Sequence, residues 1–297
     1  MTFLTTRTGE KMLSIGIVSN LSKDAGGQKT SMIIEAVLDR DMKAFVLPPI
    51  YELTQKGILT GEKDFYEKSD LILVLGGDGT ILHTARQAAR HNKPLLGINL
   101  GRLGFLAEAE LSDYSMILDS VAEGSYQVES RMMLQAELMR KGRTSKSFLA
   151  LNDIAVTKSS YSRIIHLKAL INGNAINNYS ADGILVSSPT GSTAYSLSAG
   201  GPVIDPGMEC LLLTPICPHT LNSRSIVTDA SSTIEIVVDD TNKDIVLTID
   251  GQEGVELQNG DTVRVCKAEY KTQLIKISKR NFYTLLHEKL TERLYYY

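Results

Sequence analysis

Apolar and polar positions change rhythm about a third of the way along the chain. From Leu13 to Asn99, short continuous apolar runs alternate with longer amphipathic ones. Leu13–Ser19, Lys43–Leu47 (stopped by Pro48-Pro49), Leu71–Leu75 and Pro94–Asn99 read as strands, and Thr30–Asp39 and Ile81–Arg90 as helices. Strands that are apolar throughout need cover on both faces, which means a parallel sheet flanked by helices. Past Ala107 the pattern shortens. A bridging helix over residues 112–123 leads into strand-like runs at Tyr126–Leu138, Ser147–Thr157, His166–Ile171, Ile184–Ser187, Thr233–Val238, Ile245–Ile249, Thr262–Cys266 and Gln273–Ile277. Asn172-Gly173-Asn174 and Asn259-Gly260-Asp261 are turn signals between them. Phe282, Leu285, Leu286, Leu290 and Leu294 then recur at helical spacing.

The predicted architecture is an α/β N-terminal domain with a Rossmann-like parallel sheet (12–108), then a mostly β C-terminal domain, a sandwich or layered sheet (109–280). A helical tail (281–297) packs back on a neighbouring domain. Ligands of open α/β sheets bind beyond the carboxyl ends of the strands, where Asp78 and Asn99 fall.

Composition narrows the functional classes. The chain has 297 residues, 43% hydrophobic and 22% charged, with a formal net charge of −3. That balance offers no basic surplus for nucleic acid. Three cysteines form no C-x-x-C pair and, with five histidines, no zinc spacing. Sparse, odd cysteines suit a reducing cytoplasm. No apolar run approaches the ~18–20 residues of a membrane span. The opening MTFLTTRTGEKM has no signal-peptide core and reads as a short extension.

Four stretches carry the chemistry. Leu71–Leu75 opens onto Gly76-Gly77-Asp78-Gly79-Thr80, a glycine turn at a helix start where amides favour an anion. Asp78 is out of place among phosphates. It is either a helix cap or a base or metal ligand, so the turn suggests phosphoryl transfer. Asn99-Leu100-Gly101-Arg102-Leu103-Gly104-Phe105 is a second glycine turn, with Phe105 either a core aromatic or a stacking face. Asn152-Asp153 is either an exposed turn or a donor–acceptor pair for hydroxyls such as a ribose. Asp182 to Pro202 is rich in Gly, Ser and Thr beyond what core packing needs. A small-residue helix is expected from Ser192, with Thr193 at its start and Tyr195 as a stacking face. Gly26-Gly27-Gln28-Lys29-Thr30 lacks P-loop spacing, and no G-x-G-x-x-G follows the first strand. Ile249-Asp250-Gly251-Gln252 is by itself an ordinary strand end and turn.

Together these motifs resemble the NAD kinase family in its bacterial form, over roughly Leu13 to Phe282. The match runs through Gly76–Thr80, Asn99 to Phe105, Asn152-Asp153, Thr190 to Gly201 and Asp250-Gly251-Gln252. The first turn is shared with lipid kinases and phosphofructokinases; the Thr190–Gly201 stretch is far more specific. The resemblance implies ATP-dependent phosphorylation of the adenosine 2′-hydroxyl of NAD, giving NADP. It implies Asp78 as the base, with Gly79 beside it in the NAD-contacting turn, and Asn152 and Asp153 on the adenosine ribose. Asp182 and the run Thr193, Ala194, Tyr195, Ser196, Leu197 and Ser198 would form the dinucleotide wall, with Arg163, Ser180 and Gln252 peripheral to it. Gly76, Gly77, Thr80 and Phe105 would complete the phosphate turn and its stacking face. Mg²⁺ or another divalent cation would ride on the ATP phosphates without an assigned protein side chain. A homodimer or homotetramer is implied, with neither nucleic acid nor membrane as partner. Where the family often has Asn-Glu, this chain has Asn152-Asp153, a shorter acidic arm. Alternatives are a lipid or sugar kinase on the same turn and a non-catalytic NADP-binding regulator.

Overall fold

The computed structural model describes residues 12–101, 104–159, 163–219, 223–240, 244–278 and 280–292. The N-terminal extension up to residue 11, Arg102, Leu103, Leu294 and the terminal tyrosines lie outside the described residues. The chain forms two compact units: Met1–Ser130 with Thr272–Tyr297, and Arg131–Lys271.

The first unit is the expected parallel sheet. Its strands run in the order Ile58–Leu59, Lys43–Val46, Ser14–Ser19, Leu71–Leu75, Leu95–Asn99, all parallel, with Ala109–Glu110 beside the last. Leu71–Leu75 is buried at every position because it has a strand on each side and helices on each face. Ile15, Ile17, Ile33, Val37, Leu73, Leu96 and Ile98 share one core with Ile117, Leu118 and Val121 of the Tyr114–Glu123 helix. That shared core, and the end of the Thr262–Lys276 strand pairing Leu274 with Leu95, place the unit boundaries at 130/131 and 271/272 rather than at 108/109 and 280/281. The tail helix, Phe282–Glu292, belongs to this first unit.

Two short helices escape the sequence reading. Pro48-Pro49 does not merely stop a strand: it starts the helix Pro48–Thr54, because proline's fixed φ and missing N–H suit a first helical turn. Glu62–Lys68 is too short for a 3.6-residue period to declare itself.

The second unit is a two-sheet sandwich. One sheet runs Ile226–Asp229, Cys210–Ile216, Gly183–Ser187, Asp153–Lys158, Ile245–Ile249, Glu253–Leu257, antiparallel throughout. The other contains Asn174–Ala181, Ile165–Ile171, Ile234–Val238 and Thr262–Lys276, with Gln127–Arg140 and Arg143–Ala150 alongside. Leu134, Val156, Leu167, Ile184, Ile236, Leu247 and Val265 pack between them. Asn172-Gly173 is the turn expected, with φ of 51° and 77° joining two antiparallel strands.

Two readings change, and further strands escape the sequence reading. Ser147–Thr157 is two strands broken at Leu151-Asn152, and Thr262–Cys266 with Gln273–Ile277 is one strand. Cys210–Ile216 is a fully buried strand despite Pro215; its neighbour Ile226–Asp229 pairs only as far as Leu213, so one flank is open at the proline.

Within the first unit one buried acid fastens the returning chain. Glu108 accepts the N–H groups of Ile277 (2.8 Å) and Ser278 (2.5 Å) and pairs with Lys276 at 3.0 Å. Glu108→Ala would strand two amides and an ammonium, so urea unfolding should show a loss of about 2–4 kcal/mol; a loss under ~0.5 kcal/mol would show the clasp to be dispensable.

Candidate active site

In the first unit, the site begins where Leu75 leaves the sheet. Gly76 donates its N–H to the Ile98 carbonyl at 3.0 Å, and a Cβ on it would strike the Thr80 side chain. The helix Asp78–Arg90 then starts, with Gly77 rather than Asp78 as its N-cap and no side-chain capping bond. The capping alternative for Asp78 is therefore corrected. Its carboxylate instead accepts the N–H groups of Phe105 at 2.8 Å and Leu106 at 3.1 Å. Gly104 makes this approach possible: a Cβ there would lie on the Asp78 carboxylate. The second glycine turn thus exists to hold the acid of the first. Asn99 caps its own turn by accepting the Gly101 N–H at 2.9 Å. Phe105 is half-buried, with its ring 6.4 Å from that of Phe282.

A cation that sequence reading overlooked stands over this turn. Asn20 donates its backbone N–H to Leu75 and its Nδ2 to Thr80 Oγ1 at 3.3 Å, tying the loop after the first strand to the glycine turn. Asp24 fixes the loop's other end by accepting the Thr30 N–H and hydroxyl at 2.8 and 2.7 Å. Those bonds and the Lys29 amide outweigh burial and hold its carboxyl below the ordinary carboxylate value. Between these anchors Lys23 brings its ammonium to 3.4 Å from where a Gly77 Cβ would be. Its only sequence signal was a lysine in a loop after a strand.

The second unit assembles the other candidates. Leu151-Asn152 is the break between two strands, and Asn152 and Asp153 are buried, which settles the turn question against exposure. Asn152 Oδ1 is buried with no hydrogen-bond partner, as is Ser187 Oγ on the residue opposite Asp153. Orphaned buried acceptors are uncommon and call for a donor. Burial first, and the Asp250 charge second, push the Asp153 carboxyl up to about 7. Tyr195 is 43% exposed, and burial together with the charges of Cys217, Asp153 and Asp182 raises its phenol. Those residues are therefore neighbours. Lys158 pairs with Asp182 at 2.8 Å, and Ser180 Oγ lies 3.0 Å from His166 Nδ1.

The Ser/Thr-rich stretch differs from expectation. Instead of a helix from Ser192, Thr190–Thr193 is a 3-10 turn and Tyr195–Ser198 a single helical turn. The Ser192 hydroxyl bonds the backbone of Ile204, Thr193 bonds Thr190, and Ser196 meets Thr214 at 3.2 Å. These hydroxyls are spent inside the fold. Ala194, Tyr195, Leu197 and Ser198 are left partly or fully exposed. Arg163 is exposed, and so is Gln252, whose N–H donates to Ile249. Gly191 presses so closely on the Asn152 carbonyl that no side chain fits.

No group of three His, Cys, Asp or Glu able to hold a metal occurs among the described residues. No helix among them is long and apolar enough to cross a membrane.

Asp153 gives a pH test. The folded chain keeps a proton that the unfolded chain, with a carboxyl near 3.8, releases. Stability from this group is full below pH ~4 and falls as pH rises toward 7. Asp153→Asn should therefore gain on the parent between pH 5 and 8, by on the order of 2–4 kcal/mol from ~1.4 kcal/mol per tenfold change in proton affinity. Chemical unfolding at both pH values measures this, and a pH-independent difference would mean Asp153 is ionised like an ordinary carboxylate.

The two units match two family models: the ATP-NAD kinase N-terminal domain over residues 15–126 and the ATP-NAD kinase C-terminal domain over residues 151–277. The chain is 41% identical to an NAD kinase of Thermoanaerobacter sp. (strain X514), over 95% of this chain and 100% of that one. With the NAD kinase of Heliobacterium modesticaldum the identity is 47%, over 77% of this chain and 81% of that one. Yeast NADH kinase complexed with NADH superposes with a TM-score of 0.86 at 25% identity, over 95% of this chain and 88% of that one. An NAD kinase from Archaeoglobus fulgidus in complex with ATP gives 0.75 at 25% identity, over 93% of this chain and 99% of that one. On these matches, which span nearly the whole chain, the protein belongs to the NAD kinase family.

Proposed function

We propose that this protein transfers the γ-phosphoryl group of ATP to the adenosine 2′-hydroxyl of NAD, with Asp78 as the general base. The relatives are NAD kinases, and the structural neighbours were solved with NADH and with ATP. The observation that carries the base assignment is the Asp78 carboxylate at a glycine turn, aimed by the Phe105 and Leu106 amides. An ionised carboxylate has about four lone-pair sites; two are used by those amides, leaving capacity for a hydroxyl proton. The 2′-hydroxyl is a weak acid, so its proton moves to Asp78 as the O–P bond forms and the bond to the leaving ADP oxygen breaks. Asn152 and Asp153 bind the adenosine ribose hydroxyls; the orphaned Asn152 Oδ1 supplies an acceptor that a hydroxyl satisfies. Asp182, Ala194, Tyr195, Leu197 and Ser198 bind the rest of the dinucleotide, with the exposed Tyr195 ring beside the adenine and Arg163, Ser180 and Gln252 at its edges.

The turn amides and Lys23 hold the phosphates. A lysine against the positive end of a helix is unfavourable alone and becomes favourable once a phosphate lies between them. A divalent cation, Mg²⁺ by preference, arrives on the ATP phosphates as part of the donor substrate. The enzyme would work in the cytoplasm as a homodimer or homotetramer, a state that light scattering of the purified protein decides.

Incubation with ATP, Mg²⁺ and NAD, read by an NADP-specific dehydrogenase, should give NADP; dinucleotide binding without turnover would identify a non-catalytic NADP-binding protein instead. Asp78→Asn should lower kcat by about 10²–10⁴-fold with NAD affinity kept within a few-fold, and an unchanged kcat would remove Asp78 from the base role. Lys23→Ala should raise the KM for ATP by about tenfold with little change in that for NAD; equal effects on both would assign the lysine to the fold.

A further inference from the structure

We infer that Asp250 is a positioning residue for NAD binding: its carboxylate sets the backbone from which Asn152 and Asp153 project. The inference rests on the assignment of that pair to the ribose.

Asp250 follows the strand Ile249 ends, at a φ of 49°. That left-handed conformation suits glycine better than any residue with a side chain, although Asp tolerates it more than most. A carboxylate at such a position needs a use for its side chain, and three consecutive amides provide one. Its Oδ1 accepts the N–H groups of Asn152 at 2.7 Å and Asp153 at 3.2 Å, and its Oδ2 accepts that of Leu151 at 3.1 Å. Its own N–H donates back to the Asp153 carbonyl at 2.9 Å. Successive amides converging on one anion form a nest.

The carbonyl side of the same three residues is held as well. Ser188 donates its N–H to the Asn152 carbonyl at 2.9 Å and its hydroxyl to the Leu151 carbonyl at 2.5 Å. The same hydroxyl accepts the Gly191 N–H at 3.2 Å. The Leu151–Asp153 break in the sheet would otherwise carry unpaired buried amides. Held from both sides, the backbone leaves the Asn152 and Asp153 side chains only their own torsions to settle. Asn152 Oδ1 ends buried and without a partner, as a group fixed in advance for a ligand does. Asp250 is itself buried and acts through the pair.

The test compares steady-state KM values for NAD and ATP in three variants. Asn152→Ala checks the underlying assignment: an unchanged KM for NAD removes the pair from the ribose site, and the inference with it. Where that variant weakens NAD, Asp250→Asn decides the inference. It keeps the volume but turns one acceptor oxygen into a donor facing amides. The KM for NAD should rise by about tenfold or more while that for ATP stays within about twofold. A folded Asp250→Asn protein with the parental KM for NAD overturns the inference, and so does an equal rise for both substrates, the signature of a merely structural role. If Asp250→Asn does not fold, Ser188→Ala loosens the same backbone from the carbonyl side. A selective rise in the KM for NAD then supports the inference, and its absence overturns it.

Discussion

Irregular backbone in this protein is held by carboxylates that accept amide hydrogens. A chain leaving a strand or turning between strands exposes N–H groups that no ladder pairs, and burying them unpaired is costly. Asp24 takes the amides of Lys29 and Thr30, and Asp78 those of Phe105 and Leu106. Glu108 takes Ile277 and Ser278; Asp250 takes Leu151, Asn152 and Asp153. Asp261 takes Gln258 while also gripping the Arg140 guanidinium at 2.6 Å. Asp24 serves first-turn amides of the helix Gln28–Leu38, and in the other cases one short acidic side chain stands in for a stretch of secondary structure. The device gives loops a fixed geometry, which a phosphoryl-transfer enzyme needs because most of its rate comes from positioning.

Glycine is the counterpart of this device. A carboxylate reaches a loop amide only where no Cβ intervenes. Gly104 leaves that room for Asp78, and Gly191 leaves it for the Asn152 carbonyl. The glycines of these motifs are thus explained less by freedom of φ than by contact distance, since Gly76, Gly104 and Gly191 do not have positive φ. Substituting them would move the acid or the pair, not merely stiffen a turn.

This is also where the sequence stopped being legible. Leu71–Leu75 and Ile245–Ile249 were readable to the residue, because an unbroken or alternating apolar run is written by burial alone. Asp78 and the pair Asn152-Asp153 stand out in the sequence as candidates, each beside a plainer alternative, a helix cap for the one and an exposed turn for the other. What could not be read is the partnership between stretches distant in sequence. Asp78 and Phe105 are 27 positions apart and Asp250 and Asn152 are 98 apart, and nothing local at either end announces the bond. For that reason Asp250 reads in the sequence as an ordinary turn residue, and Thr193 as part of a dinucleotide wall when its hydroxyl bonds the Thr190 carbonyl. Short elements such as Glu62–Lys68, and a buried strand containing Pro215, failed for the simpler reason that they lack a full period or break a propensity rule.

The shorter acidic arm at Asp153 sits in the same arrangement, its backbone pinned to Asp250 and that second acid close by. Two carboxylates buried together resist ionising together. Burial and the Asp250 charge together push the Asp153 carboxyl up to about 7, so about half of it keeps its proton at neutral pH, while Asp250 accepts three amide hydrogens. A protonated Asp153 can donate one hydrogen bond and accept another, and Asn152 offers a free acceptor beside it. A ribose hydroxyl has the same dual character, so this pair can match it in both directions, whereas an ionised acid could only accept.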